Sequence, residues 1–324
     1  MTFQQLTYVV EISKCGSINK AAQKLFLSQS GISTAVRELE EELGIQFFVR
    51  SNRGVEFTPE GKEFLSYAAS LLEQKQRIES LYGEARNASA PVRFSVSTQR
   101  YPFTEDAFLR MLQTTEDNRF CFSAKETGMD AVIDDVYDHR ADIGVIFLTE
   151  LTEKIIRRLL DSRDLEFHEV AAVAPCVYVR KGHPLTRLQT VTETDLAGYP
   201  YVSFEHDQGV ATDFSEEYQI VSLKKPAKCI SVNNRSSMYN VLVRTDAFTT
   251  GSGLLVENLI NQPVVTVPLA GKTCIRLGWI VPKNSKLSPL VEKFVDFLEQ
   301  SVAESIRYTE SLHQSLSRSE SANT

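Results

Sequence analysis

The chain has 324 residues, with 42 Asp and Glu against 35 Lys and Arg for a formal net charge of −7, and hydrophobic residues make up 42%. That length suits more than one folded domain, and the acidic balance excludes a protein that coats nucleic acid through bulk positive charge. Five cysteines without CxxC or paired Cys/His spacing give no support for zinc or an iron–sulfur centre, so no cofactor is assigned; free buried thiols are the default reading, with a redox-active pair as the alternative.

The first predicted helix opens on Thr2 with Gln5 three residues on, a capping-box spacing, and carries Phe3, Leu6, Val9 and Val10 on one face. Gly16 is its stop and Ser17 the cap of a second helix with Ile18, Ala21, Ala22 and Leu25 inward. The paired alanines allow the next helix to cross closely. Ser28 caps that third helix, where Ile32, Val36, Leu39 and Leu43 recur at intervals of four, three and four; Gly44 ends it. Its outward face is then Gln29, Ser30, Ser33, Thr34 and Arg37, short polar groups and a long cation suited to base edges and phosphates. Arg50, Arg53 and Gly54 fall in a turn between Phe47-Phe48 and Val55–Phe57, which reads as a two-stranded basic wing beside the third helix. A polar helix face alone is commonly just solvated; combined with a wing it points to double-stranded DNA. Residues 1–62 hold seven Lys/Arg against seven acids, so one head has little bulk attraction for phosphates and two must be presented together.

Pairing is provided for next. Thr58-Pro59 starts a helix, and Phe64, Ala68, Leu71, Lys75, Ile78, Tyr82 and Ala85 alternate steps of four and three, a heptad seam with one polar break. No neighbouring segment reads as its partner, so a second copy is expected there, with a helix lying on its own domain as the alternative. The NASAP stretch at residues 87–91 is the expected domain boundary. Beyond it, strand and helix patterns alternate and predict α/β units around a mostly parallel sheet. Ligands gather at strand ends in such folds. Ser97, Thr98 and Gln99 follow the first strand of this half and are the candidates for holding a carboxylate or other oxyanion, with helix capping as the alternative. Ser203, Glu205 and Thr249 are added from the second set of strands, with His206 behind them; Arg100 could pair with an anion, although an exposed Arg is commoner. GSG at residues 251–253 lacks the third glycine of a dinucleotide fingerprint, no nucleophile elbow occurs, and His183-Pro184 reads as a turn. Nothing in the chain therefore reads as an enzyme site. The N-terminus opens directly on a capped amphipathic helix and no apolar run nears the ~20 residues that span a bilayer, so a cytoplasmic protein without a membrane partner is expected. The Ser-rich residues 301–324 keep helical steps to about Leu316 and then read as disordered; this extension reads as surplus or as an oligomer brace.

The run LSQSGISTAVRELEEELGIQFFVRSNRGVEFTPEG resembles the DNA-binding head of LysR-type transcriptional regulators, through Ala21, Ala22, Leu25, Ser28, Gln29, Ser33, Leu39, Glu40, Leu43, Gly44, Phe48, Arg50, Arg53, Gly54, Thr58 and Gly61. Ser30-Gly31 stands where Pro-Ala is more usual. Looser similarity to the family's effector half runs through RADIGVIF (140–147), VYVRKGHPL (177–185), DLAGYPYVSF (195–204), GSGLL (251–255) and residues 277–298. The resemblance implies an α plus α/β chain: a winged helix-turn-helix at 1–62, a linker and dimerisation helix at 63–90, and two Rossmann-like lobes at 91–300. Lobe I then takes about 91–164 and 268–300, and lobe II about 165–267, joined by crossing strands near 165–170 and 264–269. It further implies a small-molecule effector between the lobes, a homodimer or homotetramer, and contact with RNA polymerase. Phe147, where some relatives carry a polar residue, joins the effector candidates as a contact for an apolar part of the ligand, with core packing as the alternative. An effector-independent DNA binder, or a catalytic α/β domain with a DNA head, are the competing readings.

Overall fold

The computed structural model describes residues 1–51, 54–82, 91–204, 228–257, 259, 263–271 and 273–321. The chain divides into two compact units, Met1–Ala90 and Pro91–Thr324.

In the first unit, α1 (Phe3–Cys15), α2 (Ile18–Lys24) and α3 (Gln29–Leu43) follow from the caps in the sequence. Thr2 and Gln5 form the reciprocal capping box, Ser17 and Ser28 accept N–H groups three residues on, and Gly16 and Gly44 end α1 and α3 with φ of 62° and 70°. Val9, Ile12, Ala21, Ile32, Leu39 and Phe47 are fully buried between the three helices. β1 (Phe48–Ser51) and β2 (Gly54–Phe57) pair antiparallel as the wing, with Arg50 opposite Val55.

α4 (Pro59–Tyr82) corrects one expectation. Its first half is not awaiting a partner: the Phe64 ring stacks on Phe47 at 4.3 Å, Ala68 is buried, and α4 packs along α1. Gly61 makes the approach possible, because a Cβ there would lie 2.3 Å from the Phe47 carbonyl oxygen. Thr58 fixes the entry, donating to the Gln46 carbonyl at 2.6 Å and accepting the Gly61 N–H at 2.9 Å. Farther along, Tyr67, Leu71 and Ile78 share one face and are exposed. Of the described seam positions, Leu71 and Ile78 are exposed. Residues 83–90 lie outside the described residues.

Among the described residues the second unit holds three sheets, of five, three and two strands. The first has the order β4-β3-β5-β12-β6, built from β3 (Val92–Thr98), β4 (Phe120–Glu126), β5 (Ile143–Thr149), β6 (Leu165–Val173) and β12 (Ile275–Pro282). It is flanked by α5 (Pro102–Gln113), α6 (Met129–Tyr137) and α7 (Glu153–Ser162). β3, β4 and β5 are parallel as the alternating pattern predicts, but β12 runs antiparallel to both β5 and β6, so the sheet is mixed. The second sheet has β7 (Cys176–Arg180) between β10 (Thr249–Gly251) and β11 (Val264–Pro268), both antiparallel to it. β8 (Tyr201–Phe204) pairs in parallel with β9 (Cys229–Val232) as a separate two-stranded sheet, and Tyr201 bridges Phe248, the residue before β10. The short helix α8 (Glu193–Leu196) and α9 (Arg235–Arg244) complete this lobe.

The crossovers lie later than expected. β6 is bonded to β12 along its whole length and β11 to β7, so residues 165–173 belong to the first lobe and the chain crosses at 174–175 and 269–274. A bond from the Leu269 N–H to the Pro175 carbonyl ties the two crossings together.

The C-terminus departs most from the sequence reading. α10 (Pro289–Ser321) is one 33-residue helix, continuing past Leu316, where disorder was expected. Val291, Phe294, Leu298 and Val302 bury into the first lobe, and Arg110 of α5 forks onto Glu304. One turn on, the Thr309 hydroxyl accepts the Leu255 N–H at 3.2 Å and donates to the Gly253 carbonyl at 3.3 Å, and His313 bonds Thr266 of β11 at 3.0 Å. Tyr308 and Leu312 pack on the second lobe's cluster of Met238, Tyr239 and Leu242. The extension is therefore neither surplus nor free; it fastens one lobe to the other.

Candidate functional site

The N-terminal end of α3 presents Gln29, Ser30, Thr34 and Arg37 as exposed side chains, with Ser28 spent on the helix cap and Ser33 half-buried. The reason is periodic: Ile32, Val36 and Leu39 take the inward face, leaving the polar set on the other side. Arg37 has only a loose 3.7 Å pairing with Glu41, both well exposed, so its guanidinium can turn to another anion. Arg50 occupies the wing strand β1, and Arg53 lies outside the described residues.

In the second unit the described members of the predicted effector set do not gather around one cavity. Ser97 is buried, donating to the Asp135 carboxylate at 2.8 Å; Thr98 donates to the Gln99 carbonyl; and the Gln99 side-chain oxygen accepts the Phe147 N–H at 3.2 Å. Phe147 itself is fully buried in the first lobe's core. These groups are engaged inside the fold and do not line the cavity described below. Ser203 is buried against the Cys229 sulfur, 3.6 Å from its hydroxyl. Glu205 and His206 lie outside the described residues. Among the described members Thr249 reaches the cavity between the lobes, with its hydroxyl donating to the Val202 carbonyl at 2.8 Å.

That cavity lies between the lobes and has a volume of about 40 Å³. The first lobe contributes Arg100, Tyr101 and Pro102, immediately after the predicted Ser97–Gln99 run; the second contributes Tyr178, Phe204, Met238, Tyr239 and residues 249–252. Arg100 lies over the Phe204 ring at 4.2 Å. Burial pushes the Tyr239 hydroxyl up to about 12, so it stays a neutral donor. At the same junction Arg235 of α9 reaches across to Glu126 at 2.9 Å and to Glu105 of α5, an ion-pair bridge from lobe to lobe. Burial is the main cause that raises the Glu126 carboxyl, with Arg235 opposing it. The aromatic lining was not foreseen from sequence: Tyr178 and Phe204 sit in strands that read as ordinary core alternation.

A second cavity, about 670 Å³, lies beneath α10 and is lined by Asp106, Arg110, Val256, Ser301, Glu304 and Tyr308 among others. His183 confirms the turn reading, with Nδ1 accepting the Leu185 N–H at 3.0 Å, which leaves Nε2 to donate to the Asp246 carbonyl at 3.2 Å. Among the described residues no group of three His, Cys, Asp or Glu side chains is placed to hold a metal, and no helix is long and apolar enough to cross a membrane.

Comparison with known proteins adds to this geometry. Residues 3–62 match the bacterial regulatory helix-turn-helix protein, lysR family, and residues 119–303 match the LysR substrate binding domain. The chain is similar to the HTH-type transcriptional regulator YofA of Bacillus subtilis, 29% identical over 157 residues that cover 47% of this chain and 53% of that protein. It is also similar to the HTH-type transcriptional regulator CysB of Haemophilus influenzae, 27% identical over 214 residues, 63% of this chain and 61% of that one. The matched stretches thus span about half to three-fifths of these relatives. Full-length CbnR, solved in complex with its target DNA, shares the fold at a TM-score of 0.60 and 18% identity, over 93% of this chain and 100% of that chain.

Proposed function

The chain belongs to the LysR family of bacterial helix-turn-helix proteins, and from that premise we propose that it is a transcriptional regulator, not an enzyme, which reads double-stranded DNA and answers to a small molecule. The exposed polar and cationic end of α3, standing on a fully packed three-helix core beside a two-stranded wing, carries this reading. In that geometry Gln29, Ser30, Ser33, Thr34 and Arg37 meet base edges and phosphates in the major groove, and Arg50 and Arg53 reach the flanking backbone. The solved CbnR complex with target DNA supports it. A cytoplasmic location follows from such a role.

One near-neutral head gains little from phosphate attraction, so binding relies on two heads at once, at half-sites related by a two-fold axis. The open α4 face of Tyr67, Leu71 and Ile78 supplies the contact for a second copy. The interlobe cavity offers one guanidinium among aromatic rings and hydroxyls, a chemistry suited to a small anion with an apolar body. At about 40 Å³ it holds little more than a water, so the effector enters a more open arrangement and acts by favouring one state over the other. The same closed cavity favours a second reading, an effector-independent regulator whose lobes stay shut.

The test is footprinting on a duplex enriched from a random-sequence pool by the unaltered full-length protein. Ser33→Ala combined with Arg37→Ala should erase protection and leave the oligomeric mass unchanged; undiminished protection overturns the assignment of α3. A panel of small organic acids, read by thermal shift, separates the two regulator readings. Stabilisation that is lost in Arg100→Ala supports the effector, and no response to any acid supports the second reading.

A further inference from the structure

We propose that Phe26 is a DNA-contacting residue whose ring packs on the sugar–phosphate wall of the groove that α3 enters; the proposal rests on the DNA-binding reading above. α2 ends in a two-bond helix stop. The Leu27 N–H bonds the Ala22 carbonyl at 2.9 Å, the Phe26 N–H bonds the Gln23 carbonyl at 3.2 Å, and Phe26 takes a left-handed φ of 56°. This motif asks for Gly or Asn at the left-handed position, because a Cβ there crowds the following carbonyl.

The chain follows that rule elsewhere. α1 and α3 stop on glycines, and the remaining non-glycine residues of positive φ among the described residues are His139, Asp164 and Asn284, polar types that tolerate the region. Phe26 is the apolar exception. Nor does the fold recover the strain through packing, since the side chain is 95% exposed. Strain held at a position with no internal return marks a role outside the fold.

The surroundings favour nucleic acid over protein as that outside partner. An aromatic anchor in a protein interface sits within further apolar surface. Here Gln23 and Lys24 precede the ring and Ser28, Gln29 and Ser30 follow it, all exposed; of its two apolar neighbours in sequence, Leu25 packs against the three-helix core and Leu27 is exposed. Amides and hydroxyls are groups that position a protein on phosphates and sugars; the Lys24 ammonium is engaged by Glu11 at 2.5 Å. Phe26 also stands two residues ahead of the Ser28 cap, at the end of the recognition helix that enters the groove. A ring there meets the C–H face of a deoxyribose.

Phe26→Asn and Phe26→Gly in the full-length chain keep the helix stop and remove the ring. Their thermal midpoint should rise by roughly 2–4 °C as the backbone strain is relieved. Affinity for the enriched duplex, read by fluorescence anisotropy at fixed salt, should fall about tenfold, the equivalent of about 1.4 kcal/mol. The slope of affinity against salt should stay unchanged, because a lost ring releases no counterion. Unaltered affinity in both variants overturns the proposal, as does a loss of affinity accompanied by a lower sedimentation mass, which would assign the ring to a second copy. Ser33→Ala with Arg37→Ala is measured alongside: if that double variant binds normally, the DNA face itself is misassigned and the Phe26 contact falls with it. If only the Phe26 variants bind normally, the DNA face stands and Phe26 is no part of it.

Discussion

Replacing Thr309 by Val tests whether the far end of α10 fastens the lobes. The two side chains have nearly the same shape, so packing is kept and only the hydroxyl is lost. That hydroxyl serves two main-chain groups, the Leu255 N–H and the Gly253 carbonyl, in a place where Thr309 is 6% exposed and Leu255 3%. Stranding a buried polar group costs about 1–3 kcal/mol, so two of them, partly relaxed, should destabilise the second unit by about 2–4 kcal/mol. Thr309→Ser restores both bonds and should recover most of this. Urea denaturation of the three proteins gives the stability difference, and hydrogen exchange at the Leu255 amide reports the bond itself. Thr309→Val with unchanged stability and an equally protected Leu255 amide would falsify the account of α10 as a fastening between lobes.

Two further outcomes follow from single contacts. Gly61→Ala places a Cβ 2.3 Å from the Phe47 carbonyl oxygen, a clash with backbone that side-chain motion cannot relieve. The first unit should lose at least about 2 kcal/mol, seen as an early transition in a thermal melt while the lobes unfold as before; a single unshifted transition counts against the close approach of α4. Asp135 is buried beneath Lys125 at 2.8 Å, Arg140 at 2.9 Å and Ser97 at 2.8 Å. Burial alone would raise its carboxyl, but hydrogen bonds from these three groups outweigh that and hold it below the ordinary value of 3.8. Its contribution is therefore complete above the unfolded value and disappears as pH falls through 3.8 toward the lower folded one. Asp135→Asn should cost about 2–3 kcal/mol at pH 7 and progressively less in acid; a difference independent of pH from 7 to 3 argues that the carboxylate charge is not what matters.

The first unit was nearly legible in advance because each of its signals is local. Thr2, Ser17 and Ser28 cap within three residues of themselves, and the four-three-four spacing of Ile32, Val36, Leu39 and Leu43 separates an inner face from an outer one without tertiary knowledge. The same spacing misled for α4, since Phe64 and Ala68 fit a seam between two copies as well as they fit a groove beside Phe47. Periodicity reports that a face is buried, never by what. In the second unit the strands were placed well and their directions less so: antiparallel β12 depends on which neighbour a late strand finds, which no local pattern encodes. Strand-end logic led first to Ser97, Thr98 and Gln99 and ranked Arg100 behind them as a commonly exposed cation, whereas Arg100, Tyr101 and Pro102 line the cavity. The polar groups of Ser97, Thr98 and Gln99 are occupied by Asp135, a neighbouring carbonyl and the Phe147 N–H, partners 38 and 48 residues away in two of the three cases.

The reach of α10 limits how the effector half can flex. From Glu304, held by Arg110, to His313 is nine residues, or about 14 Å of rigid rod at about 1.5 Å each. Tilting one lobe by about 10° about the Arg110 anchor would swing the far end by roughly 2.4 Å, enough to part His313 from Thr266 outright. A graded bend is thus closed to this half of the molecule. Its lobes are latched or released, and any chemical signal has to trip that catch rather than lean on it.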